Sequence, residues 1–399
     1  MRSCSVVITM MMLSLVMTAP APAQNMRQFN SRYYRIATDV DKQLADEIAA
    51  HMDLVYGEYV RRFAAFRSRN ARQHPLYVFT RQEDYLAMLA QHEINGEGTG
   101  GMFFISRSGS GLATFLEGQS LDRMFHTLRH EGFHQFADQR IGRRLPTWAN
   151  EGIAEYFGEA VVVGKRLDTG RVSPQKLRPV VQFIEAGHAL PFELLMEMSN
   201  QEWIERVNTG TASIQYDQAW SVVNFLVQGD RRYRAAFNQY LQNIARGDAP
   251  HTAMSKAFHT NNYDNFEAAW RKYMLELEPD PSRSAGYRLE FLAAGLRLMA
   301  QHGRSAHSIE ELRKILAGVN FTVTQEISHG QTITISAQDS ENFEAPQPKA
   351  ADKTATIKLT DPEAADLPPG IVVEGLELTV RLVWRRDSNG ILISRVVYE

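Results

Sequence analysis

The sequence predicts an α+β fold, and three observations predict it. Residues 24–120 alternate short apolar runs with amphipathic helical stretches. Residues 121–279 carry helical periodicity almost without a break. Residues 280–399 open with helices and end in β-type alternation around Asp387-Ser388-Asn389-Gly390, a hairpin turn signal. The expected organisation is an N-terminal α+β lobe with a small mixed sheet, a helical lobe, and a C-terminal helix-plus-β accessory domain.

The elements follow in order. Arg2 precedes an apolar run of twelve residues, Val6 to Met17, and Ala19-Pro20-Ala21 and Ala21-Pro22-Ala23 come after it. A membrane span needs about 20 apolar residues, so residues 1–23 read as a signal peptide cleaved after Ala23. The expected location is periplasmic or secreted, with no membrane span after cleavage. Cys4 is the only cysteine, which excludes a disulfide framework and any cysteine-ligated metal. Lys and Arg number 43 against 46 Asp and Glu, with no basic block, so nucleic acid is not an expected partner.

Tyr33–Ala37 reads as a strand. Asp41–Phe66 reads as a helix with Leu44, Ile48, Met52, Val55 and Tyr59 on one face. A strand at Leu76–Phe79, a helix at Arg81–Leu89, and strands at Met102–Ile105 and Leu112–Leu116 complete the first lobe. Leu121 to about Glu278 reads as helical, with loops at Gly164–Gly170 and Val207–Thr211. Past Pro279 and Pro281, helices are expected at Leu289–His302 and Ile309–Ala317. Strands follow within Asn320–Ala337, Thr354–Leu359, Val372–Trp384 and Ile391–Tyr398, with Ser340–Asp352 as an exposed linker.

One motif stands above this background: His130-Glu131-Gly132-Phe133-His134, on the helical pattern of Leu121, Met124, Phe125, Leu128, Phe133 and Phe136. Residues four apart on a helix share a face, so both imidazoles can reach one ion. Glu131 then stands beside the metal, where a base acting on metal-bound water belongs. A catalytic zinc needs a third protein ligand. Arg140 and Ala137 occupy the positions at which a metzincin carries its third histidine and its glycine, so that pattern is absent, and the alternative is a glutamate on a second helix. Trp148-Ala149-Asn150-Glu151-Gly152-Ile153-Ala154-Glu155 follows a helix-start signal at Pro146-Thr147. Glu151 and Glu155 share a face there. One can ligate while the other holds a ligand imidazole.

The two segments together resemble the gluzincin metallopeptidases, above all the aminopeptidase N family and the peptidase MA-like families that share its core. The resemblance covers roughly residues 95–230 and implies a zincin-like core. It implies that His130, His134 and Glu151 bind Zn²⁺, that Glu155 supports them, and that Glu131 is the general base. Gly100-Gly101-Met102-Phe103-Phe104 is similar to the family's Gly-x-Met-Glu-Asn strand, which lines the substrate cleft. Phe103 and Phe104 replace the Glu and Asn, and that Glu anchors a free α-amine, so strict aminopeptidase activity is not expected. Tyr216-Asp217-Gln218-Ala219-Trp220 is similar to the segment whose Tyr donates to the oxyanion, which implies that role for Tyr216.

Four further residues are secondary candidates: His126 as a partner or gate, Asn150 as a cap or peptide ligand, and Arg143-Arg144 as a carboxylate site. The resulting expectation is an exported zinc peptidase acting on a peptide or protein. The alternative of a different class is a catalytically silent, zinc-bearing peptide-binding or scaffold protein.

Overall fold

The structure is a computed structural model describing residues 26–66, 73–142, 144–259, 263–328, 331–348 and 354–399. The expected signal peptide and Arg143 lie outside the described residues. Helices and two larger sheets alternate along the chain, an α+β arrangement. No described helix is long and apolar enough to cross a membrane.

The first sheet contains β1 (Arg27–Asn30), β2 (Tyr34–Thr38), β3 (His74–Phe79), β4 (Gly101–Ser106) and β5 (Gly109–Phe115). Its order is β1-β2-β3-β5-β4. The three inner strands are parallel and both outer strands antiparallel, the mixed sheet that the pattern predicts. Helix α1 (Lys42–Arg62) makes the first parallel crossover, and α2 (Gln82–Gln91) lies between β3 and β4. The Asp41 side chain caps α1 by accepting from the Leu44 N–H. The predicted stripe from Leu44 to Tyr59 is fully buried, because α1 fills the gap between this sheet and the next helix.

That helix is α3 (Leu121–Arg140), followed by α4 (Thr147–Gly158). Seven more complete the helical lobe: α5 (Pro174–Glu185), α6 (Phe192–Glu197), α7 (Asn200–Asn208), α8 (Ser213–Gln228), α9 (Arg231–Arg246), α10 (Pro250–Phe258) and α11 (Asp264–Glu276). Two short strands interrupt the series, β6 (Val161–Val163) and β7 (Arg166–Asp168). The sequence pattern had placed helix and loop there. Three-residue strands carry too little alternation to stand out, and their partner is remote.

The C-terminal part begins with α12 (Pro281–Gln301) and α13 (Ile309–Gly318). Helix α12 starts eight residues before the expected Leu289, since Asp280 caps it and Pro281 occupies its first turn. Strands β8 (Thr322–Ser328) and β9 (Gln331–Ser336) form a separate hairpin. The expected linker holds a 3₁₀ turn at Ser340–Phe343, and Phe343 and Ala345 are buried in the second core rather than exposed. The expected strand Val372–Trp384 is two, β11 (Gly370–Glu374) and β12 (Val380–Arg386), separated by a turn. Together with β10 (Thr356–Thr360) and β13 (Leu392–Tyr398) they build the second sheet, in the order β10-β11-β12-β13-β6-β7.

This sheet is joined to the rest of the molecule. Strand β13 pairs in parallel with β6 at Tyr398 and Val163. Arg385 bonds Asp41 at 2.9 Å, Arg395 pairs with Glu47, and the Val396 N–H donates to Asp122 Oδ2 at 3.1 Å. The C-terminal strands therefore stand against α1 and the start of α3.

Candidate metal centre

Helix α3 has a defined beginning and end. The Ser120 side chain accepts from the Arg123 N–H, and the chain leaves the helix at Gly142, at φ 68°, with its N–H donating to Ala137 O at 2.7 Å. The predicted apolar face, Leu121, Met124, Phe125, Leu128, Phe133 and Phe136, is buried. Arg129, 7% exposed, clamps the far end of α4 by donating to Gly158 O at 2.8 Å. Behind α4, a Cβ on Gly152 would sit 2.4 Å from Ala219 O. Only glycine lets α8 press this closely on the helix that carries Glu151 and Glu155.

The packing brings three ligand atoms together. His130 Nε2 and His134 Nε2 lie 3.1 Å apart. Glu151 Oε2 is 3.4 Å from His134 Nε2 and 3.7 Å from His130 Nε2. Two atoms bound about 2.0–2.1 Å from a tetrahedral zinc stand about 3.3 Å apart. The observed triangle matches three ligands around one such ion. Among the described residues, His130, His134 and Glu151 are the group of His, Cys, Asp or Glu side chains so placed that they could hold a metal.

Each imidazole is held from behind through its other nitrogen. Glu155 Oε1 lies 3.3 Å from His130 Nδ1. The Asn150 amide nitrogen is 3.1 Å from His134 Nδ1, and turned over it presents its oxygen to an Nδ1–H. Such partners fix the tautomer and aim Nε2 at the ion. Glu155 is itself anchored. Lys176 Nζ donates to Glu155 Oε2 at 2.7 Å and to Asp217 Oδ1 at 2.9 Å, and Lys176, Glu155 and Asp217 are all buried. Burial disfavours the Lys176 ammonium, but Asp217 and Glu155 outweigh it and hold the lysine charged.

Glu131 stands beside the triangle, with Oε1 4.0 Å from His130 Nε2. Its Oε2 accepts the Phe103 N–H at 2.8 Å, so an edge-strand amide of β4 orients the carboxylate. The field is strongly negative. Burial disfavours the His134 imidazolium, yet Glu151 and Glu131 push its pKa up to about 9.

Tyr216, on α8, stacks edge-on against Trp203 with ring centroids 5.0 Å apart. Burial, then the charges of Glu151, Glu155 and Glu131, raise its pKa well above the ordinary tyrosine value. It stays a neutral O–H donor within electrostatic reach of the triangle. His126, one turn before His130, lies 3.4 Å from Glu159 Oε1, in a separate cluster with Arg283. Arg144 is exposed and donates to Ala245 O at 3.3 Å, away from the ligand triangle. Lys176 and the Phe103 amide escape sequence reasoning. Lys176 sits in an ordinary helix start after Ser173-Pro174, and nothing local marks it as buried.

A family model described as a protein of unknown function (DUF1570) matches residues 124–249. The match takes in His130, Glu131, His134, Glu151, Glu155, Lys176 and Tyr216, and leaves out the first sheet and the C-terminal lobe. No curated protein matches the chain.

Proposed function

We propose that the protein is an exported zinc-dependent peptidase of the gluzincin type, with a zincin-like core. The observation that carries this reading is the ligand triangle, with edges of 3.1, 3.4 and 3.7 Å and the Glu131 carboxylate beside it. A purely structural zinc site is closed by four protein ligands. Three ligands with a carboxylate base alongside suit hydrolysis. His130, His134 and Glu151 would hold the ion. Zinc bound there would polarise a scissile carbonyl and lower the pKa of a bound water toward about 7.

The chain's own groups account for the remaining steps. Glu131 takes a proton from the attacking water and delivers it to the leaving amine nitrogen. The Phe103 amide holds one Glu131 oxygen in place and leaves the other free for that transfer. The Tyr216 O–H is the candidate donor to the oxyanion of the tetrahedral intermediate. Phe103 and Phe104 replace the amine-anchoring residues of aminopeptidases, which favours an endopeptidase or an otherwise unusual peptidase over a strict aminopeptidase.

The test combines elemental mass spectrometry with cleavage of a fluorogenic peptide library. About one zinc per chain, lost on Glu151→Ala, and cleavage abolished by a chelator are expected. Glu131→Gln should keep the metal and lose about 10²–10⁴-fold in kcat. Undiminished cleavage by Glu131→Gln would overturn the mechanism. Zinc without cleavage of any pool would favour the silent peptide-binding alternative.

A further inference from the structure

A chamber of about 810 Å³ begins at His130 and Glu131 and runs along the N-terminal half of α3. Its size falls in the range of about 300–1,000 Å³ that suits a bound molecule or a short chain segment. On α3, Asp122, Arg123, His126 and Thr127 face it. The opposite wall is helix α12, which turns Arg283, Tyr287, Glu290, Ala294 and Arg297 toward the space. These residues are three or four apart and form one continuous helix face. Strand β13 closes the chamber's end with Ser394 to Tyr398.

The wall is polar and only partly self-satisfied. Arg297 donates to Ser394 Oγ at 2.9 Å, and its Nε is buried without a hydrogen-bond partner. Arg283 is 8% exposed, is paired with Glu159 and Tyr398, and also has a buried Nε without a partner. Glu290 and Arg297 stand two turns apart, about 10.5 Å along the axis. Ala293 and Ala294 lie between them and leave room. An apolar side chain entering here would strip water from the half-buried side chains of Asp122, Glu290 and Arg297 and return no hydrogen bond. A polar or charged segment would replace the water it displaces.

We propose that this chamber binds the substrate segment flanking the scissile bond, and that α12 selects polar, charge-bearing residues in it. That the ligand is a peptide rests on the peptidase reading. The C-terminal lobe is then a specificity-determining wall of the cleft.

The test uses the zinc-loaded full chain carrying Glu131→Gln, so that binding is read without turnover. Fluorescein-labelled decapeptide pools are compared by anisotropy, one set rich in Lys, Arg, Asp and Glu, the other in Leu, Val and Phe. The charged pools should bind at least tenfold tighter. Adding Ala294→Trp, which fills the chamber, should weaken their binding at least tenfold with zinc content unchanged. The pair Glu290→Gln with Arg297→Gln adds no bulk and should remove the preference, and it keeps the test decisive if the tryptophan disturbs folding. Equal binding of the two sets, or both variants binding like their parent, would overturn the proposal. Cleavage by wild type is scored separately. Charged pools that bind but are never cut defeat the peptidase reading and leave the chamber standing. Cutting that neither substitution alters defeats the chamber and leaves the peptidase.

Discussion

The metal pocket and the chamber beside it share helix α3 but are built on opposite plans. In the pocket each ligand imidazole has a partner behind it, and the partner of His130 has one in turn, through Glu155, Lys176 and Asp217. In the chamber, the half-buried polar side chains of Asp122, Glu290 and Arg297 border open space. A site for one ion of fixed geometry gains from rigidity, because each ligand must stay within a few tenths of an ångström. A site for a chain of variable sequence gains from a polar wall whose water an incoming ligand can replace. Under the proposed function, that difference separates what holds the reacting centre from what chooses the ligand.

Substitutions should respect that division. His134→Ala removes a corner of the triangle. Its loss of zinc affinity, measured by competition with a chromogenic chelator, should exceed the roughly hundredfold ceiling for changes behind the ligands. Lys176→Met is the sharper probe, since Lys176 touches no ligand. It would leave Glu155 and Asp217 buried without their counter-ion, a loss on the order of 3–5 kcal/mol of stability. Zinc affinity should fall about 10–100-fold as Glu155 loses its anchor. Calorimetry beside the chelator assay checks both, and an unchanged affinity would cut Lys176 out of the pocket.

On the chamber side, Arg385→Ala combined with Arg395→Ala removes two ion pairs that hold the C-terminal strands on α1. KM should rise severalfold while zinc content stays put. A loss of zinc instead would merge the two regions into one.

The smallest effect concerns pH. Burial pushes the Asp122 carboxyl up to about 6, from an ordinary value near 3.9. The folded chain therefore binds this proton more tightly than the unfolded chain. The contribution of Asp122 to stability is greatest below pH 4, falls as pH rises from about 4 to 6, and then stays level. Asp122→Asn, which cannot ionise, should raise Tm relative to wild type at pH 8, and the gain should vanish by pH 4. A gain of the same size at every pH would mean that the carboxylate is not strained.

The metal pocket was legible in the sequence because it is local and helical. His130 and His134 are one turn apart, so the 3.6-residue period puts both on one face, while the period left Glu151 and Glu155 as alternatives on the next helix and the family resemblance favoured Glu151. The chamber was not legible. Glu290 and Arg297 look like ordinary solvated positions on an amphipathic helix, and only the return of β13 to β6 turns that face toward α3. The same remoteness hid β6 and β7, whose sheet neighbour lies over two hundred residues later. Lys176 escaped for a related reason, since its two carboxylate partners come from α4 and α8. Strands β2 to β5 and α1 were readable because each carries its own period, whereas β1, with Phe29 as its one apolar residue, was missed, and the parallel pairing of β2 with β3 follows from the helix between them.

The pairing of β13 with β6 also bears on the order in which the molecule assembles. Tyr398 must find Val163 across more than two hundred residues of chain, whereas His130, His134 and Glu151 lie within twenty-two positions of one another. Contacts between distant parts of a chain form late, because the entropy of closing a long loop comes before any reward. If the triangle binds zinc and the chamber binds substrate as proposed, a refolding chain would capture its ion while the chamber wall is still open. Early intermediates would be metal-loaded and unselective, and discrimination would be the final property to mature.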